Sequence, residues 1–365
     1  MRRYTALIPL FLPTTALADV PKVSVDIAPL HSLVAQVMGD LGTPDLILEP
    51  GASPHGYSMR PSQARALSKS DVVFWIGESL EPWLVGPLEK IAKNAVQVEM
   101  LDLEGTLVLE ARNLSVFDQE DEHDDHHDEH DEHDEHDEHD EHDEHDEHDE
   151  HDEHDEHDEH DEHDEHDEHD EHAGDDHAAQ EEDHHNDDHG AHDHGGIDPH
   201  AWLDPHNAKL WVTAIAETLS QADPENAQTY QANATAAAQT LAEMDARFDA
   251  SLSQLSGQHF LTYHDGYQYF EARYGLHNSG AIARGDATPP SPARLKDLRA
   301  QIEADKIDCA FSEPQFNDTL FDAIFGALPY QLETLDPLGQ HLTPGPALYG
   351  DLLETMAGNV AKCLK

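Results

Sequence analysis

The sequence has few positive charges. Of its 365 residues, 19 are Lys or Arg, whereas 79 are Asp or Glu, and the formal net charge is −60. Proteins that bind nucleic acid present a basic surface to the phosphates, and this sequence has no basic patch that could do so. We therefore expect no nucleic-acid partner.

The sequence also lacks an apolar run long enough to cross a bilayer, which takes about 20 residues. It starts with a short basic region at 1–3, followed by a mostly apolar stretch at 4–12 and by Ala-Leu-Ala at 16–18. This order is typical of a secretory signal peptide cleaved after Ala18. We predict that residues 1–18 are removed and that the mature protein is exported and soluble. The alternative is an amphipathic first strand or helix.

Cysteine is scarce as well, since Cys309 and Cys363 are the only two in the sequence. An even count in an exported chain favours one disulfide. It would close a loop of about 54 residues and stabilise the fold by roughly 4 kcal/mol in the chain-entropy model. It would also tie down the C-terminal end, which otherwise frays. Two buried free thiols are the alternative.

Histidine and acidic residues are in excess, and most of them lie between residues 118 and 194. This segment holds 24 of the 32 histidines and 44 of the 79 acidic residues, without one Lys or Arg. From 128 to 172 it repeats Asp-Glu-His 15 times. The rest of the chain has 35 acidic and 19 basic residues, a net charge of −16. Outside the segment the sequence is therefore that of an ordinary acidic globular protein.

We predict that 118–194 is a disordered insertion rich in His, Asp and Glu. It contains no large apolar side chain to offset the entropy of ordering it, and a three-residue repeat places no stripe of histidines on a helix. Its imidazoles and carboxylates are ligands for divalent first-row metals, so we expect low-affinity binding of such ions. The alternative is a charged segment that only increases solubility.

The remaining sequence alternates predicted strands and helices, which favours an α/β fold with parallel sheets. One helix, predicted from about residue 224 to 255, would span about 48 Å, longer than a typical globular helix. We therefore predict two lobes, each a mostly parallel sheet flanked by helices. They occupy residues 19–222 and 257–365 and are joined by one long rigid helix at 223–256.

Eight histidines lie outside the insertion, and three of them share a context. His55 follows a strand and a loop with Gly and Pro, His200 lies in Asp-Pro-His before a helix, and His264 ends a strand before a helix. In open α/β sheets, ligands gather beyond the carboxyl ends of strands. Three imidazoles would suit zinc and leave a fourth position for water or for a carboxylate. Asp336, which also follows a predicted strand, is the candidate.

Four motifs contain these residues. They are Glu-Pro-Gly-Ala-Ser-Pro-His at 49–55, Asp-Pro-His-Ala-Trp-Leu-Asp-Pro at 198–205, Tyr-His-Asp-Gly-Tyr at 263–267 and Thr-Leu-Asp-Pro-Leu-Gly at 334–339. In this order they resemble the motifs of the ZnuA-like zinc-binding periplasmic proteins of ABC importers, a branch of the cluster-9 solute-binding proteins. The resemblance covers the whole mature chain. The insertion just before Asp-Pro-His is also similar to what zinc members carry.

The resemblance implies two βαβ-type lobes with Zn²⁺ held between them by His55, His200 and His264. It implies a periplasmic, non-enzymatic receptor that delivers Zn²⁺, as its transported ligand, to the membrane permease of an ABC transporter for high-affinity zinc uptake. We expect this receptor to be a monomer.

The fourth ligand is less defined by the resemblance. Some relatives have Glu immediately before the first histidine, where this sequence has Pro54, and this leaves Asp336 or a water. The positions of Cys309 and Cys363 also look like those of a disulfide in zinc members.

Three alternative functions stay open on the sequence. A receptor for manganese or another divalent metal would share the architecture, and a metal buffer would use the insertion alone. A zinc hydrolase would also use three histidines, but the sequence contains no His-Glu-x-x-His and no obvious general base beside them. Among the other histidines, His206 is a weak ligand candidate, and we expect His31 and His259 to be structural.

Overall fold

The computed structural model describes residues 20–112, 196–283 and 290–365. The predicted signal peptide at 1–18 and the predicted insertion at 118–194 lie outside these residues. Across the described ranges, no helix combines the length and the apolar character that crossing a membrane requires.

The first sheet is built on two strands that are buried along their whole length. Its strands are β1 (Val23–Val25), β2 (Asp45–Leu46), β3 (Val72–Trp75) and β4 (Val96–Glu99). They lie in the order β2-β1-β3-β4, and each neighbouring pair is parallel. β1 and β3 are central and consist almost entirely of Val and aromatic residues, as expected for parallel strands covered on both faces. The connecting helices are α1 (Ala28–Met38), α2 (Pro61–Leu67) and α3 (Pro82–Lys90).

Two long helices follow the first sheet. α4 is Pro205–Ala222 and α5 is Ala227–Leu252, which at 26 residues spans about 39 Å. α5 therefore starts later than the sequence predicted. The reason is a turn at Asp223, whose carboxylate accepts hydrogen bonds from Asn226 Nδ2 (2.7 Å) and the Tyr230 hydroxyl (3.0 Å).

The second sheet repeats the topology of the first. Its strands are β5 (His259–Thr262), β6 (His277–Ala281), β7 (Cys309–Ser312) and β8 (Gln331–Thr334), in the order β6-β5-β7-β8. All neighbouring pairs are again parallel. The helices are α6 (Gln268–Tyr274), α7 (Pro292–Asp305), α8 (Thr319–Phe325) and α9 (Leu348–Cys363). The predicted fold class, two mostly parallel sheets flanked by helices with one long helix between them in the chain, is confirmed.

One apolar core connects the two sheets. Its buried side chains include Val25 and Phe74 from the first sheet, Phe260 and Phe311 from the second, and Met244 from α5. α5 therefore packs against both halves of the protein, which agrees with its predicted joining role.

The last helix also touches both halves. At its start, the Pro346 carbonyl accepts hydrogen bonds from Ser32 Oγ (3.1 Å) and Gln36 Nε2 (2.8 Å), both on α1. At its end, Cys363 forms a disulfide with Cys309 on β7. The predicted disulfide is thus present, and it ties the end of α9 to the second sheet.

Candidate metal centre

The three predicted site histidines lie in loops that follow strands or precede helices. His55 is in the loop between β2 and α2, and His264 follows β5 by two residues. His200 immediately precedes a short 3-10 turn, Ala201–Leu203, that leads into α4. The carboxyl ends of parallel strands lie at one edge of a sheet, and open α/β proteins bind their ligands at this edge.

The fold brings these three histidines together. One ring nitrogen from each of His55, His200 and His264 lies within 4.8 Å of the other two. His200 Nε2 and His264 Nε2 are 3.4 Å apart. Zinc binds imidazole nitrogen at about 2.0–2.1 Å, so two nitrogens on one tetrahedral ion are about 3.3 Å apart. The spacing of this pair already fits a shared tetrahedral ion.

Buried carboxylates orient two of the rings. His200 Nδ1 donates to Asp198 Oδ1 (2.8 Å), and the His200 backbone N–H donates to the same oxygen (2.9 Å). His264 Nδ1 donates to Glu313 Oε1, which also accepts the His264 backbone N–H at 3.4 Å. A carboxylate can only accept, so the proton of each ring is fixed on Nδ1. Nε2 is left as the metal-binding nitrogen, as in carboxylate–histidine–zinc arrangements.

Burial strengthens this arrangement. The side chains of His200, His264, Asp198 and Glu313 are all at most 6% exposed. Aromatic rings line the site, with Trp202 5.2 Å from His200 and Tyr267 5.8 Å from His264 between ring centroids. Water is therefore largely excluded from the two inner ligands.

His55 closes the group from the more exposed side. Its ring centroid lies 5.4 Å from that of His200, and the residue is half-buried. Its loop is fixed by Trp83 Nε1, which donates to the Pro54 carbonyl at 2.7 Å. This histidine is thus presented by a loop anchored to α3.

The residue at position 266 leaves space beside the ring nitrogens. A Cβ on Gly266 would come within 2.8 Å of His264 Cε1 and 3.1 Å of His200 Nε2, and closer still to His264 Nε2. Both distances are tighter than ordinary van der Waals contact. Position 266 therefore requires glycine, because a side chain there would collide with the His264 and His200 rings.

Asp336, the predicted fourth ligand, is outside this group of three. It lies two residues after β8, and its carboxylate accepts backbone N–H groups from Leu338 (3.1 Å), Gly339 (2.9 Å) and Gln340 (2.6 Å). Burial raises the pKa of Asp336, and these hydrogen bonds oppose the increase. In this structure Asp336 shapes the 336–340 turn, and its role as a ligand stays a prediction.

The other histidines lie apart from the site. His31 is buried, and its Nε2 contacts the Pro44 carbonyl at 3.0 Å, while burial lowers its pKa. His259 Nδ1 bonds to Ser279 Oγ at 2.8 Å. Both have the structural surroundings that the sequence analysis expected. His206 is exposed at the start of α4.

Sequence reasoning missed the two carboxylates that hold the rings. Asp198 was visible as the first residue of Asp-Pro-His. Glu313 gave a weaker signal, since it directly follows β7, the strand next to β5 in the sheet. A carboxylate at the end of a strand adjacent to that of His264 is the pattern that could have indicated it.

Comparison with known proteins adds independent information. The family model "Zinc-uptake complex component A periplasmic" matches residues 23–363. The chain is similar to the high-affinity zinc uptake system protein ZnuA of Paracoccus denitrificans, with 41% identity over 350 residues that cover 96% of this chain and 93% of that protein.

Solved structures share the fold. A crystal structure of ZnuA matches with a TM-score of 0.66 and 20% identity, over 95% of this chain and 100% of that one. A zinc-bound structure of a ZnuA deletion mutant matches with a TM-score of 0.65 and 20% identity, over 95% and 99%.

Proposed function

The chain belongs to the ZnuA family of periplasmic zinc-uptake components, and from that premise we propose that it captures Zn²⁺ between its two sheets and hands it to the permease of an ABC transporter. Members of this family are solute-binding proteins, so the chain is a receptor and not an enzyme, and zinc is its transported ligand. The hydrolase alternative is therefore dropped.

One observation carries the assignment of the site. The Nε2 atoms of His200 and His264 lie 3.4 Å apart, with each Nδ1 proton held by a buried carboxylate. We propose that these two nitrogens and a ring nitrogen of His55 bind the ion. The fourth position is left for water or Asp336, whose carboxylate already accepts three backbone N–H groups.

The donor set favours zinc over manganese. Three imidazoles match zinc, whereas manganese prefers sets richer in carboxylate and water. Binding needs neutral rings, so protons compete with the metal. We therefore expect zinc affinity to fall as the pH is lowered. Protonation would add positive charge at the three nitrogens, which also repels the ion.

Release would start at the exposed side. His55 is the most accessible of the three ligands and lies in a loop, whereas His200 and His264 are buried. We propose that docking on the permease displaces the 49–60 loop and removes one imidazole from the ion. Zinc would then leave a site with two protein ligands.

Several further parts of the function remain proposals. We propose that the signal peptide at 1–18 directs export to the periplasm and that the mature protein works as a monomer. We also propose lobes at 19–222 and 257–365, joined by the segment 223–256 that contains α5. The segment 118–194 would gather zinc weakly, with several ions per chain, and supply the tighter site.

Titration calorimetry with Zn²⁺ and Mn²⁺ tests this proposal on two proteins, the full chain and a variant lacking 118–194. We expect tight one-to-one zinc binding in both, weaker binding of manganese, and extra weak zinc sites in the full chain alone. His264→Ala should abolish the tight site, and His206→Ala, at an exposed position, should not. Loss of the tight site on deleting 118–194 would instead identify a metal buffer.

A further inference from the structure

The two chain segments that flank the undescribed stretch 113–195 are bonded to each other. We call residues 107–112 and 196–200 the stem. Glu110 and Ile197 form an antiparallel β-bridge, with Ala111 N–H donating to the Gly196 carbonyl (3.2 Å) and Asp198 N–H to the Leu109 carbonyl (2.9 Å). The stem thus behaves as one small ribbon with the Asp198 carboxylate on it.

Helix α6 of the second sheet holds both strands of the stem. The Tyr269 hydroxyl accepts the Leu109 N–H at 2.9 Å and donates to the Asp198 carbonyl at 2.7 Å. Tyr269 is only 1% exposed, so these bonds are shielded from water. One buried hydroxyl therefore links each side of the stem to α6.

Arg112 adds an ionic attachment at the end of the stem. Its guanidinium donates to both carboxylate oxygens of Asp265, at 2.9–3.2 Å, and to Glu271 Oε2 at 2.5 Å. In the sequence it is the single cation between Lys93 and Lys209. A planar guanidinium suits this two-pronged contact better than an ammonium group.

The attachment is demanding because one of its carboxylates is buried and the other is only partly exposed. The Glu271 side chain is 3% exposed and that of Asp265 is 16% exposed. Burial raises the pKa of Glu271 to about 7, and the charge of Arg112 opposes this increase. Without the guanidinium, the carboxylates of Asp265 and Glu271 would lie close together without the Arg that pairs with both.

Both attachments end beside a metal ligand. Asp265 directly follows His264 in the chain. On the stem, Asp198 holds the Nδ1 proton of His200. A displacement of the stem from α6 would therefore shift the groups that set the 3.4 Å spacing between the two Nε2 atoms.

We propose that Arg112 is a positioning residue for zinc, which fastens the stem to α6 and so keeps His200 and His264 at the distance that one ion requires. This inference rests on the proposed function, because it assumes that these two histidines bind the ion. It makes the base of the insertion part of the metal centre, although no stem residue other than His200 contacts the ion.

The test uses full-length protein loaded with less than one equivalent of Zn²⁺, so that the tightest site fills first, and measures zinc transfer to an excess of chelator. The variants are Arg112→Gln, which removes the charge, and Arg112→Lys, which keeps it. Arg247→Gln is the matched control, because Arg247 forms an exposed ion pair with Glu354 at 2.7 Å. Thermal unfolding of the metal-free proteins reports the fold separately.

We expect zinc to dissociate about tenfold faster from Arg112→Gln, as for other residues that orient metal ligands. Zinc should dissociate from Arg112→Lys at a rate between those of Arg112→Gln and the unmodified protein. Arg247→Gln should release zinc as slowly as the unmodified protein. Equal dissociation rates in all four proteins would overturn the proposal. If Arg112→Gln does not fold, Arg112→Lys is compared with the unmodified protein: faster dissociation supports the proposal, and an equal rate overturns it. His264→Ala separates the two levels, since tight binding in that variant would refute the proposed site itself.

Discussion

The glycine at position 266 permits a sharp test of the metal centre. Gly266→Ala adds one methyl group, which the backbone allows because its φ lies outside the left-handed range that favours glycine. The new Cβ would come within 2.8 Å of His264 Cε1 and 3.1 Å of His200 Nε2. Ordinary carbon contacts begin at about 3.5 Å, so the His264 ring must move by at least about 0.7 Å.

Such a shift is large for a metal ligand and small for the fold. Ligand distances in a metal site are held to about 0.2 Å, so the displaced ring loses its bond to zinc. We expect zinc affinity to fall at least about 100-fold, equivalent to about 2.8 kcal/mol. The fold should lose little, because an imidazole end can move and Gly→Ala removes conformational entropy from the unfolded chain.

Chelator competition measures the affinity, and thermal unfolding of the metal-free protein measures the stability. Gly350→Ala is the matched control, because a Cβ at that position on α9 meets nothing within 4 Å. It should bind zinc as the unmodified protein does. Unchanged zinc affinity in Gly266→Ala would refute the placement of the ion between His200 and His264.

Three further variants test other parts of the structure. Glu313→Gln keeps an acceptor beside His264 Nδ1 but removes the charge, and chelator competition should show zinc affinity about 10- to 100-fold lower; no change would mean that the charge is dispensable. Burial raises the pKa of Asp26 to about 6, and burial followed by the charge of Asp26 raises that of Glu81. The folded state then holds protons more tightly than the unfolded chain, so stability falls as the pH rises from about 4 to 6. Glu81→Gln should weaken this trend in urea unfolding across that range, and an identical slope would show that Glu81 does not contribute to it. Cys363→Ser should lower the free energy of unfolding by about 2–4 kcal/mol in urea, whereas an unchanged value would show that the disulfide does not restrain the unfolded chain.

The sequence was sufficient for the architecture and for the three histidines. Alternating apolar strands and helices indicated parallel sheets, and parallel topology places the loops after β2 and β5 at equivalent edges. His55, His200 and His264 could be selected because each lies in such a loop or at a helix start. Local pattern and topology alone indicated these three histidines weakly, and the resemblance of the four motifs to a zinc-binding family strengthened the prediction.

The partners of those histidines could not be predicted in the same way. Glu313 is 49 residues from His264, and Arg112 is 153 residues from Asp265. Such pairs depend on how neighbouring strands and helices are aligned in space. The periodic spacing of apolar residues along the sequence does not show this alignment. The start of α5 was misplaced for a related reason, because the Asp223 side chain bonds to Tyr230 in a turn that the helical pattern does not show.

The paired stem also has a consequence for how this protein can change over generations. Ala111 and Gly196 are joined by a hydrogen bond of 3.2 Å, so the two described ends that flank residues 113–195 are held together. For loops in general, each doubling of length adds only about 0.6 kcal/mol to the entropic cost of closure. By this scaling, we expect the gain or loss of a few Asp-Glu-His triplets to cost the fold little stability.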